Sequence, residues 1–151
     1  MIDRRTMLRG VSAACFAISV PLIAQTQNRL LRIGYLSARA GPNEFEQAFL
    51  RGLRERGWVE GTNVVIDYRW ANDAGEQRQR AMAVEIVAAK PDVVVAPDGR
   101  GARNVRALNP AMPIVVPALG DPVASGATTS MARPDGNITG VSALSSFSVF
   151  K

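Results

Sequence analysis

The stretch Leu30-Leu31-Arg32-Ile33-Gly34-Tyr35-Leu36-Ser37 constrains the fold more than any other part of the chain. It is a short apolar run that stops at turn-forming residues, Ser37 to Pro42, and a helical pattern follows at once. A strand that feeds a helix is the opening of a βαβ unit. Leu31, Ile33, Tyr35 and Leu36 leave little polar surface on either face, which predicts a strand buried on both sides of a parallel sheet. Ligands of open parallel sheets sit beyond the carboxyl ends of the strands. The loop from Ser37 to Asn43 is therefore the first place to look for function.

The rest of the chain repeats this alternation. Asn43 is placed to cap a helix, with Glu44 and Glu46 in its first turn. Phe45, Ala48, Phe49, Gly52 and Leu53 form its apolar face at three- and four-residue spacing, and Gly57 ends it. Trp58 and the residues after it return the chain to Val64–Trp70, a second strand near an edge of the sheet; the aromatics read as core. Glu76–Ala89 is a second helix with Ala81, Val84, Ile86, Val87 and Ala88 inward. Val93–Ala96 is a third, central strand, Pro97–Gly101 a turn and Ala102–Asn109 a short helix. Ile114–Val116 is a fourth strand closing at Pro117, Asp121–Gly136 is loop-rich, and Asn137–Val141 is a fifth short strand. Strands alternating with helices indicate a doubly wound α/β sheet with right-handed crossovers, of about five strands in the order 2-1-3-4-5.

Composition narrows the function. With 151 residues, 47% of them apolar and 21% charged, the chain has the make-up of one globular domain. The formal charge is +5, and +2 of it lies in residues 1–24 as Arg4, Arg5 and Arg9 against Asp3. The other basic residues are scattered among acids rather than clustered on one face, so no nucleic-acid partner is expected. The sequence has no histidine and a single cysteine, Cys15. An intrachain disulfide, a histidine-ligated zinc and a Ser-His-Asp triad are thus excluded within it. No metal, cofactor or catalytic residue is expected.

Residues 1–24 read as an export signal: a charged start followed by the apolar Val11–Ala24, which contains Pro21 and is short for a membrane span. The Arg4-Arg5 pair is compatible with a twin-arginine signal or with an ordinary secretory one. The expectation is a periplasmic mature chain without a membrane span.

Several segments, in order, resemble the ABC-transporter substrate-binding proteins, the periplasmic group that includes tryptophan- and tyrosine-type solute receptors. They are Ile33–Leu36, Gly52–Gly61, Asn63–Arg69, Asp121-Pro122-Val123, Gly126 and Ala132-Arg133-Pro134-Asp135-Gly136-Asn137-Ile138-Thr139-Gly140-Val141-Ser142. The resemblance implies a type-I periplasmic-binding fold, in which two α/β lobes close on a small solute and deliver it to a permease without chemistry. It runs from about Leu31 to Ser142 and implies an N-terminal solute-binding lobe over residues 25–142. It fades over 143–151, and the second lobe has no counterpart, as expected of a truncated chain.

On either ground the site is the rim of loops after the strands. Ser37 and Arg39 follow the first strand, and Asn43 opens a helix whose N–H groups could hold a carboxylate; Ser37 and Asn43 could equally serve only the turn and cap. Asp98, Gly99 and Arg100 follow the third strand, where the resemblance implies small and hydroxyl residues. Arg100 departs from that pattern, to pair with an anionic or amino acid-like solute or to point into solvent. Asp121, after the fourth strand, either meets a ligand ammonium or caps the turn before Pro122. Trp70 could stack on a ligand or join the core. Gly99-Arg100-Gly101-Ala102-Arg103-Asn104 lacks the last glycine and the supporting acid of a dinucleotide loop. Without a histidine, a phosphate loop or a convergent acid-base pair, a Rossmann-like enzyme is the lesser alternative, beside a fragment with no function of its own.

Overall fold

The computed structural model describes residues 29–130 and 136–142. Residues 1–24, expected to be an export signal and containing Cys15, the Ala132–Asp135 part of the family-like segment and the tail 143–151 lie outside the described residues. Five strands alternate with three helices: β1 (Leu31–Ser37), α1 (Glu44–Glu55), β2 (Val64–Trp70), α2 (Gly75–Ala88), β3 (Val93–Val95), α3 (Gly99–Leu108), β4 (Ile114–Leu119) and β5 (Ile138–Ser142). Every pairing is parallel and the strand order is β2-β1-β3-β4-β5. The order and direction expected from the sequence are therefore those found.

The two faces of the sheet carry separate cores. Under α2 and α3 lie Leu36, Ala71, Met82, Ala83, Ile86, Val94, Ala102, Val105, Ile114 and Val116. Under α1 lie Ile33, Tyr35, Val64, Ile66 and Val95, with Phe49, Leu53, Tyr68 and Trp70 partly buried against them. Period-two alternation sends neighbouring residues of β1 to opposite cores. Gly34 is tight where β1 meets α2: a Cβ there would lie 2.7 Å from Ile86 Cγ2.

The structure corrects several local expectations. On α1 the fully buried residue is Glu46; of the expected apolar face Phe49 and Leu53 pack partly buried, Ala48 and Gly52 are exposed, and Phe45 is 54% exposed and lies under the Arg39 guanidinium at 4.9 Å. On α2 the buried residues are Gln79, Met82, Ala83 and Ile86, so Ala81, Val84 and Ala88 face outward. That helix has apolar residues around most of its circumference after Arg80, so its pattern leaves the inward phase open. Trp58 is surface-lying, beside Leu50, Leu53 and Val59. Helix α3 begins at Gly99 rather than Ala102, because the Asp98 carboxylate caps it. Strand β4 runs through Pro117 to Leu119 with an irregular register after Val116. Proline is tolerated there because the ladder is already broken.

Candidate functional site

All strands point the same way, so the loops after β1, β2, β3 and β4 lie along one edge, together with the N-termini of the three helices. Ala38 is the hub of this rim. Its N–H donates to Asp98 Oδ2 at 3.2 Å, and its carbonyl accepts the N–H of Asp73 at 2.7 Å. The next carbonyl, that of Arg39, accepts the N–H of Asn72 at 2.9 Å, and that of Ser37 accepts the N–H of Ala71. The turns after β2 and β3 are thereby fixed to the turn after β1.

Asp98 ties three elements together. Its Oδ1 accepts from the N–H of Gly101 at 2.7 Å, capping α3, and from Gln79 Nε2 of α2 at 2.8 Å, while Oδ2 takes Ala38. Gly99 follows at the point where a Cβ would lie 2.6 Å from Ser125 Cβ, and so lets α3 pack on the segment after β4. Arg103 and Arg106 reinforce that packing by donating to the carbonyls of Ser125 and Ala127.

The α1 side is built on a buried carboxylate. Tyr35 Oη donates to Glu46 Oε1 at 2.6 Å, and the Asn43 N–H donates to Glu46 Oε2 at 2.8 Å. Asn43 Oδ1 accepts from the Phe45 N–H at 2.9 Å, which completes a capping box. Arg39 Nη1 lies 3.9 Å from Glu46 Oε1. Burial raises the Glu46 pKa, but the bonds from Tyr35 and Asn43 and the charge of Arg39 outweigh it and hold the carboxyl below its ordinary range. Burial, then the bond to Glu46, pushes the Tyr35 phenol far up.

The seven residues predicted from the sequence thus divide in two. Ser37 is buried, and its Oγ accepts from the Arg39 N–H at 3.3 Å. Asn43, Asp98 and Asp121 spend side-chain oxygens on backbone N–H groups; Asp121 Oδ1 accepts from Val123 and Ala124. Gly99 makes room for packing. Arg100 is exposed at the rim, whereas Arg39 is partly buried over Phe45 and against Glu46, its Nη1 buried with no hydrogen-bond partner among the described residues. Asp121 is exposed and stands off from the Ala38 hub, at the head of the segment that packs on α3. Trp70 is half-buried in a ring cluster with Tyr35 and Tyr68, its plane 7° from that of Tyr68. Sequence reasoning missed Glu46, Gln79, Asn72 and Asp73. For Asn72-Asp73-Ala74-Gly75 a signal was present, since Asn, Asp and Gly together mark a turn that uses left-handed backbone.

What the rim lacks is enclosure. Beside it, among the described residues, lies a shallow cavity of about 90 Å³ between β4, β5 and Pro122–Thr128. Small-molecule sites usually measure about 300–1,000 Å³. The rim is open, its turns tied together by backbone hydrogen bonds, with no group of metal-binding side chains among the described residues.

A parallel sheet in this order, with its loops tied along one edge, is a doubly wound α/β frame of the kind that binds ligands beyond its strand ends. Comparison with known families agrees: residues 39–148 match the ABC transporter substrate binding protein family. The chain belongs to that family. Among curated proteins it is 29% identical over 97 residues to a tyrosine-binding protein of Clostridioides difficile, covering 64% of this chain and 28% of that one. A conserved domain protein from Vibrio cholerae superposes with a TM-score of 0.71 at 27% identity, over 78% of this chain and 40% of the other. The ABC domain from Streptococcus pneumonia in complex with L-Trp gives 0.68 at 25% identity, over 76% and 39%. A ligand-free, open substrate-binding protein with adhesive properties from Clostridium difficile shares the fold at 24% identity, with a TM-score of 0.71. The chain therefore spans about two-fifths or less of the length of these relatives.

Proposed function

We propose that this chain is the solute-binding component of an ABC-type importer, receiving a small amino acid-like solute at the Ala38 rim and passing it to a permease. The observation that carries this reading is the junction of three strand-end loops through Ala38, in a member of the substrate-binding family. Ser37, Asn43, Asp98, Gly99 and Asp121 fix the shape of the rim, Arg100 supplies solvent-facing charge, and Arg39 stands partly exposed against Phe45 and Glu46. Relatives named for tyrosine and L-Trp support an amino acid as the solute class. Residues 25–142 form the solute-binding lobe. Residues 1–24 are an export signal of twin-arginine or secretory type, delivering the chain to the periplasm. No helix of the described residues is long and apolar enough to cross a membrane.

A lobe that covers one side of a ligand buries far less of it than a closed pocket does. The 151-residue chain is therefore expected to bind in the millimolar range. Thermal unfolding in up to about 20 mM of single amino acids and simple carboxylates tests the reading, with product analysis alongside. Saturable stabilisation of about 1–2 kcal/mol, the linkage value for a Kd near 1 mM, without turnover is the expected result. Product formation, or no stabilisation by any compound, overturns it. Micromolar or tighter affinity would overturn the half-site description.

A further inference from the structure

A hollow of about 240 Å³ opens at the end of the lobe opposite the rim, where the strands begin and α1 stops. Leu50, Leu53, Trp58 and Val59 give it an apolar lining, with Arg54 and Glu60 as its charged groups. Trp58 is 39% exposed and Val59 41%, although both are large apolar residues. Their position is fixed by the backbone. The Trp58 N–H donates to the Leu53 carbonyl at 2.9 Å. Asn63 bridges the turn, accepting the Val59 N–H at 2.7 Å and donating to the Gly57 carbonyl at 2.8 Å. The exposure of this pair is thus built into the fold.

Charge around the hollow has one dominant sign. The Glu60 carboxylate accepts from Tyr68 Oη at 3.5 Å, whereas Arg54 forms no ion pair among the described residues. Arg51 and Arg56 flank it, and Arg32 and Lys90 stand at the same end of the lobe, all of them exposed and likewise without an ion pair. Glu55 and Glu60 are the exposed acids among them. Cations are well placed at helix C-termini, and together they make this end attractive to an anionic surface. An apolar groove edged by guanidinium groups matches an amphiphile with an apolar chain and an anionic head. Tryptophan is the side chain suited to the boundary between the two.

The preceding chain arrives at the same end. The Leu31 N–H donates to the Asn63 carbonyl at 3.1 Å, so β1 starts against the turn that carries Trp58 and Val59. In the sequence, the apolar Val11–Ala24 is separated from Arg29 by Gln25–Asn28, which reach at most about 14 Å. A signal held in the membrane during export brings this end to the lipid, and not the rim.

We propose that this end of the lobe seats on an anionic phospholipid surface: Trp58 and Val59 enter the interface, an acyl chain lies along Leu50 and Leu53, and Arg54, with Arg51 and Arg56, meets the headgroup phosphates. The contact leaves the rim free and is independent of which solute the rim takes.

The full chain with Trp70→Phe, in which Trp58 is the remaining tryptophan, tests it. Vesicles of phosphatidylglycerol or phosphatidylcholine with brominated acyl chains serve as probes, because bromine quenches tryptophan on contact. Trp58 emission should shift to shorter wavelength and be quenched on phosphatidylglycerol, and change far less on phosphatidylcholine. Arg54→Gln and Arg56→Gln should each lower the ratio of quenched to unquenched Trp58 about fivefold, the ratio for one basic residue at an anionic surface. Trp58→Phe leaves Trp70 as the reporter, beside Tyr35 and Tyr68, and controls for insertion of residues 1–24; its emission should not change. Quenching of Trp58 no greater than that of Trp70 overturns the proposal, as does equal quenching on the two lipids. Protection of Trp58 from acrylamide that grows with protein concentration in the absence of vesicles assigns the groove to a second copy and also overturns it. None of these outcomes bears on the solute-receptor reading, which the thermal titration decides.

Discussion

Replacing Glu46 by alanine tests the idea that a buried carboxylate, rather than an apolar stripe alone, seats α1 on the sheet. Glu46 and Tyr35 are 2% and 1% exposed and joined by a 2.6 Å hydrogen bond. Truncating Glu46 leaves the buried phenol without its acceptor, at about 1–3 kcal/mol. It also removes one half of the capping box, at roughly 0.5–2 kcal/mol. The sum is about 1.5–5 kcal/mol, or a fall in Tm on the order of 5–20 °C for a domain of this size. Tyr35→Phe should cost less, about 1–2 kcal/mol, because Glu46 keeps the Asn43 N–H. If the two side chains act as one unit, the double variant is less unstable than the sum, with a coupling of about 1–2 kcal/mol. Urea unfolding followed by tryptophan fluorescence reads this directly, since the Trp70 ring centre lies 5.5 Å from that of Tyr35. The pH dependence supplies a second check. With Glu46 held below its ordinary value of 4.5 in the folded chain, the unfolded chain binds more protons in that interval. Stability should therefore be fully present above pH 4.5 and decline as the pH falls through the lowered folded value. Tyr35→Phe should flatten that decline. A coupling below about 0.3 kcal/mol, within the scatter of independent sites, would refute the reasoning.

Asp98→Ala should destabilise the chain by about 2–4 kcal/mol, since it releases the α3 cap, Gln79 and Ala38 together. Asp98→Asn, which retains a capping oxygen, should recover part of that loss, and hydrogen exchange at Ala38 should rise in both. Gly99→Ala should cost about 1–3 kcal/mol through overpacking against Ser125, whereas Gly52→Ala, with open space around it on exposed α1, should stabilise by about 0.5–1 kcal/mol; the two melting curves should shift in opposite directions. Burial, followed by the charge of Glu60, pushes the Tyr68 phenol up from 10.0 to about 12, and Tyr35 is raised further. Ultraviolet titration of the folded chain should then show no tyrosinate step near pH 10, and stability should fall as the pH rises from 10 through 12 because the unfolded phenols ionise first.

The sequence alone determined the alternation of strands and helices, the parallel direction and the strand order. Each of these follows from local chemistry: apolar runs that end at turn residues, Asn43 as a cap, and Gly57, which does adopt a positive φ of 82° just past α1. Right-handed crossovers then leave few ways to arrange five strands. Only the tertiary structure decided which polar side chains enter the core and which remain at the rim. Glu46 reads as a first-turn acid on a solvated helix, and it becomes the inward residue because Tyr35, on a different element, donates to it. Gln79 goes in and Val84 stays out because α2 has apolar residues on several sides, and its packing partners choose the phase. Asp98 was legible as a residue of the loop after β3, yet its contact with Ala38 joins positions 60 residues apart. A periodic pattern records how a segment divides its surface between oil and water. It does not record which distant donor will satisfy a buried oxygen, and that pairing separates the charges used by the scaffold from those left exposed at the rim.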